Sequence, residues 1–114
     1  MSLEKIIIAG FGGQGVLLLG DVIAQSAILE GKNATWLPSY GPESRSGTSN
    51  CHVILSDKQI GSPIINDPDV VIAFNLPSMD KFEPKLKKDG LLLYNSSLIE
   101  RKPQRNDIKT AAVP

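Results

Sequence analysis

The order of apolar and polar residues divides the chain into short apolar runs separated by polar or glycine-rich segments. Lys5 to Ala9 is an almost wholly apolar, β-branched run, which is typical of a strand buried on both faces of a parallel sheet. Residues 14–30 instead place apolar side chains at helical spacing, and Gly31 supplies a natural end for that helix. Gly20 lies inside the helix, where it lowers the helix propensity and allows close packing against the sheet.

Similar patterns predict four more strands and a second helix. The strands are predicted over residues 33–37, 50–55, 70–74 and 91–94, and a polar helix over 78–88. Pro84 falls inside that helix and predicts a break or kink. Gln59 and Ile60 suggest a short returning strand, so the segment from Cys51 to Ile60 is expected to add a hairpin at one edge of the sheet.

Strand, glycine turn, helix and strand in succession form a βαβ unit, and the later elements extend it. The fold class predicted is α/β: a three-layer, Rossmann-like domain with a mostly parallel sheet. The 114 residues suit one domain, 1–114. The polar segment after Ile99 becomes apolar again at residues 111–113 and then stops, so we expect a chain truncated at its C-terminus, with at least one further helix missing.

Composition narrows the possible functions. Lys plus Arg equals Asp plus Glu and aromatic residues are 5%, which argues against nucleic acid or an anionic membrane as partner. Cys51 is the single cysteine and cannot form an internal disulfide or hold a metal cluster by itself. We expect no metal site in this chain. No apolar stretch approaches membrane-spanning length and no signal peptide is visible, so cytoplasm is the expected location.

The first candidate site is the glycine turn. It follows the first strand, opens the helix and fits the pattern G-x-G-x-x-G; its members are Gly10, Gly12, Gly13, Gln14 and Gly15. Such a turn brings backbone N–H groups near an anion at a helix N-terminus. Three interpretations stay open: close packing alone, contact with an anion or cofactor, and NAD binding. NAD binding also requires an acidic residue closing the second strand, and none stands there.

The second candidate site is the loop after the second predicted strand. Its polar and glycine positions are Tyr40, Gly41, Glu43, Arg45 and Gly47. In a doubly wound sheet this loop lies at the same carboxyl edge as the glycine turn, where such folds bind ligands. Glu43 and Arg45 either pair with each other, reach a ligand or another subunit, or remain solvated on an ordinary surface loop.

The chain contains two glycine-rich motifs, GFGGQG from Gly10 and YGPESRSG from Tyr40, and then IGSP at residues 60–63. Together these segments resemble the gamma subunit of 2-oxoacid:ferredoxin oxidoreductases. The family includes pyruvate, 2-oxoisovalerate and 2-oxoglutarate enzymes. The resemblance extends from Ile6 to about Ser96. One position departs from the family pattern, because Ser46 stands where the family usually has glycine.

The resemblance implies a subunit of a thiamine diphosphate-dependent enzyme that oxidatively decarboxylates a 2-oxoacid to an acyl-CoA. Thiamine diphosphate, Mg²⁺ and iron–sulfur clusters are then expected on other subunits, with coenzyme A taking the acyl group. The implied partners are alpha and beta subunits, a delta subunit where one exists, and ferredoxin through the complex. We assign the ten motif positions to subunit contact or cofactor-proximal support, assign no catalytic residue, and expect the isolated chain to be inactive and to bind no cofactor alone. The alternative is a stand-alone nucleotide-binding module.

Other polar residues are weaker candidates. Cys51 and His52 are adjacent in a strand, so they should face opposite sides and not form a catalytic pair, with one buried and the other exposed. Asp67 and Asp69 flank Pro68 in an expected solvated turn. Asn75 closes the fourth strand near the carboxyl edge, where it can line the same cleft.

Overall fold

The computed structural model describes residues 3–11, 15–39, 48–57, 65, 67–99 and 102–113, and every structural statement below concerns these residues. They form six strands, two α-helices and one 3₁₀ helix. In chain order these are β1 (Leu3–Phe11), α1 (Val16–Leu29), β2 (Asn33–Ser39), β3 (Thr48–Ser56), β4 (Val70–Ala73), α2 (Leu76–Phe82), the 3₁₀ helix (Glu83–Lys85), β5 (Leu91–Asn95) and β6 (Lys109–Val113).

The strands form one sheet in the order β2-β3-β1-β4-β5-β6. β1, β4, β5 and β6 are mutually parallel, whereas β3 is antiparallel to both of its neighbours, β1 and β2. β2 therefore runs in the same direction as β1, with β3 inserted between them. The predicted mostly parallel sheet is confirmed, and an antiparallel hairpin does occupy one edge.

That hairpin is made by β2 and β3, with Asn33 opposite Ser56 and Ser39 opposite Asn50. The hairpin predicted between Cys51 and Ile60 has the wrong partner for the third strand, because β1 and β2 occupy both sides of β3. Residues 58–60, where a returning strand was expected, lie outside the described residues.

The helices cover opposite faces of the sheet, which confirms the three-layer architecture. On one face, Val16 and Ala24 of α1 pack with Ile6, Ile8 and Cys51 in a buried cluster. On the other face, Met79 and Phe82 of α2 join a second cluster that includes Ile7, Val71 and Leu92. Because alternate residues of each strand point to opposite faces, the apolar run of β1 contributes to both clusters.

The two ends of α1 are fixed by glycines with positive φ. Gly15 precedes the helix at φ 80°, and Gly31 follows it at φ 85°. Both angles lie in the left-handed region, which glycine adopts without steric cost. The predicted helix end at Gly31 is confirmed, and the helix begins two residues later than the sequence pattern suggested.

The second helix is shorter than predicted because the chain changes conformation before Pro84. α2 ends at Phe82, and residues 83–85 form the 3₁₀ helix, which tolerates the missing N–H of Pro84 at its start. Pro84 therefore acts as the predicted break.

The strand β6 was not predicted. It is held in place by the preceding segment, where Glu83 is 2% exposed and its Oε2 accepts hydrogen bonds from the backbone N–H groups of Gln104 (2.6 Å) and Arg105 (3.0 Å). The Arg105 guanidinium in turn donates to the carbonyl oxygens of Glu83 (3.1 Å) and Leu86 (2.6 Å). We call these contacts the Glu83 clamp; they align residues 109–113 beside β5.

The Asp67–Asp69 turn is only partly the solvated turn that was expected. Asp67 is exposed and lies 3.6 Å from the Lys5 ammonium. Asp69 is half-buried; its Oδ2 accepts a hydrogen bond from the Lys5 backbone N–H (2.9 Å), and its carboxylate pairs with Lys87 (3.4 Å). Asp69 therefore joins the start of β1 to the connection before β5.

Candidate functional site

The candidate site lies at one edge of the sheet, where the parallel strands end. β1, β2, β4, β5 and β6 run in the same direction, so their carboxyl ends meet at this edge. We call it the carboxyl edge. In open α/β sheets ligands bind outside this edge, because loops and helix N-termini converge there.

The glycine turn leaves the carboxyl edge between β1 and α1. Gly10 is buried at the end of β1, and Gly15 accepts the first helical hydrogen bond through its carbonyl, from Leu19 N at 2.8 Å. No side chain of the described residues caps the helix at Gly15. Gly12, Gly13 and Gln14 lie outside the described residues. The positive φ of Gly15 explains why glycine is needed at the last position of the motif.

The second loop begins and returns at the same edge. Its candidate residues, Tyr40, Gly41, Glu43, Arg45 and Gly47, lie outside the described residues. The residues on either side are described: Ser39 is paired with Asn50, and Thr48 is paired with Phe11, directly before the glycine turn. Both ends of the loop are thus anchored at the carboxyl edge, next to the end of β1.

Asn75 places a polar side chain between the ends of β1 and β4. Phe74 N donates to the Ala9 carbonyl (2.9 Å), and this hydrogen bond holds the segment between β4 and α2 against the end of β1. Asn75 is 4% exposed, and its Oδ1 accepts a hydrogen bond from Ser78 N (2.9 Å), capping α2. Among the described residues, its buried Nδ2 has no hydrogen-bond partner. A buried amide donor without an acceptor is costly, so Asn75 presents an available donor at the carboxyl edge.

The sequence predicts Asn75 near this edge, although Asn75 is not one of the ten predicted site residues. The available signal was Asn followed by Pro77 and Ser78, a typical helix N-cap pattern, directly after an apolar strand. What the sequence did not reveal is that capping uses only the side-chain oxygen.

An apolar cleft of about 360 Å³ opens at the carboxyl ends of β4, β5 and β6. It lies against α1 through Leu19, and its wall is formed by Ile72, Ala73, Phe74, Leu93, Tyr94, Asn95 and Val113. None of the described lining residues is charged, so this part of the cleft suits an apolar group rather than an isolated anion.

Cys51 and His52 do not form a reactive pair. Cys51 is fully buried on the α1 side, where Sγ lies 3.5 Å from the Val16 carbonyl, to which it donates. Burial raises the pKa of its thiol to about 11, although hydrogen bonds from Trp36 and Gly20 oppose the rise. The thiolate that a nucleophile or a cluster ligand requires is therefore disfavoured, and Cys51 does not fit an iron–sulfur site.

His52 pairs with Ile7 and points to the α2 side, which confirms the prediction of opposite faces. Burial lowers the pKa of its imidazole, and the positive charges of Lys85 and Lys81 lower it further. Its Nδ1 is buried and has no hydrogen-bond partner within the part of the chain that the structure describes. The expectation of one buried and one exposed residue was wrong for His52, because its side chain is half-buried and its imidazole lies within the electrostatic influence of Lys81 in α2 and Lys85 in the 3₁₀ helix.

Two kinds of site find little support among the described residues. No three His, Cys, Asp or Glu side chains in this part of the chain lie together as a metal site. The described end of β2, Leu37-Pro38-Ser39, supplies no carboxylate for a ribose hydroxyl. Within the same ranges, no helix has the length and hydropathy needed to cross a bilayer.

Comparison with known proteins identifies the family. The model of the family described as pyruvate ferredoxin/flavodoxin oxidoreductase matches residues 5–114. The chain belongs to this family. Among curated members it is 44% identical, over 96% of its length, to the ketoisovalerate oxidoreductase subunit VorA of Methanothermobacter marburgensis. It is 35% identical, over 84% of its length, to the 2-oxoglutarate synthase subunit KorC of Methanocaldococcus jannaschii.

A solved structure that is similar to this chain has the same fold. The gamma subunit of a keto/oxoacid ferredoxin oxidoreductase from Geobacter sulfurreducens superimposes with a TM-score of 0.86 at 35% identity, over 98% of this chain. The present chain spans 61% of that subunit, 52% of KorC and 23% of VorA. The resemblance inferred from the two loop motifs is therefore confirmed at the level of the family.

Proposed function

We propose that the chain acts as the gamma-type part of a thiamine diphosphate-dependent 2-oxoacid:ferredoxin oxidoreductase, which converts a 2-oxoacid to an acyl-CoA in the cytoplasm. The observation that carries this proposal is the family match over residues 5–114, with relatives named as subunits of ketoisovalerate and 2-oxoglutarate enzymes. The partners would be the alpha and beta subunits, with a delta subunit where present, and ferredoxin would be reached through the complex.

The chemistry of decarboxylation and electron transfer would reside on these partners. Thiamine diphosphate supplies the carbanion-stabilising centre, and its Mg²⁺ and the iron–sulfur clusters would be held by other subunits. The inert, buried thiol of Cys51 supports this division, since the sequence offers no second cysteine.

We infer that this chain supports the shared site from its carboxyl edge. The glycine turn (Gly10, Gly12, Gly13, Gln14, Gly15) and the second loop (Tyr40, Gly41, Glu43, Arg45, Gly47) would contact a neighbouring subunit or coenzyme A. The common anchoring of both segments beside the end of β1 supports this inference, as does the free amide donor of Asn75.

The test uses the assembled enzyme rather than the isolated chain. Arg45→Ala is expected to raise the KM for coenzyme A about tenfold while assembly stays intact, because a charged hydrogen bond or ion pair to a ligand contributes about 1.4 kcal/mol or more. Lys88→Ala is the matched control, since Lys88 is exposed in the turn before β5, at the opposite edge of the sheet. Steady-state kinetics with varied coenzyme A provide the measurement.

Two results would contradict the proposal. If Arg45→Ala leaves both turnover and the coenzyme A KM unchanged, the cofactor-proximal role is wrong and the chain is a purely structural subunit. If the wild-type chain does not assemble with oxidoreductase subunits, or oxidises 2-oxoacids alone, the subunit assignment itself is wrong.

A further inference from the structure

The outward face of α1 is apolar, although the sheet lies on the opposite side of the helix. Leu18, Val22 and Leu29 are 67%, 51% and 87% exposed. The inward face is formed by Val16, Ala24 and Ala27, all nearly fully buried. A surface helix ordinarily presents polar residues to solvent on the face away from the core. This helix instead has two apolar faces, only one of which the described chain covers.

The spacing of the outward residues indicates the shape of what covers them. Positions 18, 22, 25 and 29 are separated by four, three and four residues, which is the spacing of a coiled-coil seam. Gln25 is the one polar residue among these four positions. Ile28, which is 55% exposed, widens the apolar row at its C-terminal end. We call Leu18, Val22, Gln25 and Leu29 the outer seam. Such a row of knobs and holes fits the side chains of another helix.

The charges beside the outer seam indicate the chemistry of that helix. Asp21 is the only charged residue within α1, it lies beside the seam, and Glu30 follows at the end of the helix. Lys32 comes later, in the connection to β2. Flanking residues of paired helices set partner choice through opposite charge, so an acidic border favours a partner with lysine or arginine beside its apolar row.

We propose that the outer seam docks an amphipathic helix of a companion subunit that carries apolar residues at seam spacing and basic residues beside them. This inference rests on the proposed function, which supplies the companion subunits. A second copy of this chain fits less well, because two α1 helices would bring Asp21 of both chains to one interface without a basic residue of α1 to offset them.

Cross-linking identifies the occupant directly. A photoreactive phenylalanine placed at position 22 in the complex assembled with the companion oxidoreductase subunits is expected to cross-link to a helical segment of a companion subunit that contains Lys or Arg. The same photoreactive group at position 3 is the control, because Leu3 is 37% exposed and lies on the α2 side of the sheet. Cross-linking at position 22 to a second copy of this chain, or to no companion subunit, overturns the inference.

Substitutions measure how much the outer seam contributes to assembly with the companion subunits. Val22→Glu is expected to weaken assembly at least about tenfold, whereas Leu3→Glu leaves it unchanged. Asp21→Asn is expected to make assembly less sensitive to salt than the wild type, because it removes the acidic border. Circular dichroism checks that each variant remains folded, which is expected for substitutions at exposed positions.

The failure of this inference can be told apart from the failure of the proposed function. If the wild-type chain assembles and Val22→Glu assembles equally well, the outer seam is not the interface while the subunit assignment stands. If the wild-type chain does not assemble with the companion subunits, the proposed function fails and the inference with it.

Discussion

Close contact between α1 and the sheet is decided at a single residue, Gly20. A Cβ atom built there would lie 2.5 Å from Cys51 Sγ and 2.7 Å from Trp36 Nε1. Real side chains do not approach so closely, so the helix can sit at this distance only because position 20 has no side chain. The close packing predicted at Gly20 is therefore confirmed.

Gly20→Ala tests this contact because two effects oppose each other. Alanine in a helix gains about 1 kcal/mol over glycine in propensity, whereas overpacking costs about 1–3 kcal/mol. Cys51 is fully buried on a strand that is paired on both sides, so it has little room to move and we expect a net loss of about 1–2 kcal/mol in unfolding free energy. Urea denaturation of both proteins provides the measurement.

Pairing Gly20→Ala with Cys51→Ala provides the control for this experiment. The double variant should recover part of the stability that Gly20→Ala loses, because Cys51→Ala removes Sγ, the atom nearest to the added Cβ. The effects of the two substitutions on unfolding free energy should therefore not add. A stabilising effect of Gly20→Ala alone would show that α1 is not held so close to β3.

His52 should make stability depend on pH. Its folded-state pKa lies below the ordinary value of 6.5, because burial and then the charges of Lys85 and Lys81 disfavour the imidazolium. Above pH 6.5 both the folded and the unfolded chain hold a neutral imidazole. As the pH falls through this value the unfolded chain takes up a proton that the folded chain does not bind, so the folded state loses stability.

The measurement compares wild type with His52→Gln by chemical denaturation between about pH 7.5 and about pH 5. The wild type should lose more stability across this range, and the difference between the two proteins isolates the histidine from the carboxylates. Because His52 is the single histidine, its ring protons give the folded-state pKa directly by NMR. A measured pKa above 6.5 would mean that the imidazole is not buried as described.

At the scale of elements, the Glu83 clamp decides where the last strand lies. The clamp connects the 3₁₀ helix to residues 104 and 105, four residues before β6 begins. The strand itself, Lys-Thr-Ala-Ala-Val, has modest β propensity, and four of its five residues are exposed. Its position therefore depends on pairing with β5 and on the contacts that precede it.

Glu83→Ala is expected to lower the unfolding free energy by about 2–3 kcal/mol, because it removes the acceptor of two backbone N–H groups. Hydrogen exchange of the β6 amides should accelerate more than that of β1, since the clamp restrains the C-terminal segment first. Asn106→Ala is the control: Asn106 is exposed in the same segment and takes no part in the clamp contacts, so its loss should change stability little. Equal acceleration in β1 and β6 would contradict a local role for the clamp.

Most elements of the fold follow from sequence periodicity, although their ends differ. β1 is two residues longer at each end than predicted, and β2 continues through Pro38 to Ser39. Pro38 is tolerated because β2 is an edge strand, where one row of backbone groups needs no partner. The missing prediction of β6 has a different cause, since an exposed edge strand carries little of the apolar pattern that marks buried strands.

At the scale of the whole molecule, the sheet combines a parallel half and a hairpin half. β4, β5 and β6 extend the sheet on one side of β1, while β3 and β2 complete it on the other. This order brings the loop after β2 back to the end of β1, because β3 must begin opposite Phe11. The two sequence motifs are thereby anchored together at the carboxyl edge, and the outer seam of α1 lies on the same side of the sheet as the apolar cleft.

The sequence by itself determined the buried strands, α1 and the glycine at each end of that helix. It also determined the opposite faces of Cys51 and His52, and the family. All of these depend on local spacing or on residue identity. The tertiary structure alone decided the position and direction of β3, the strand β6 and the unpaired amide of Asn75. Strand order and partner choice arise from contacts between distant segments, and such contacts leave no period in the chain. Whether a polar atom is satisfied depends on the atoms that folding brings around it.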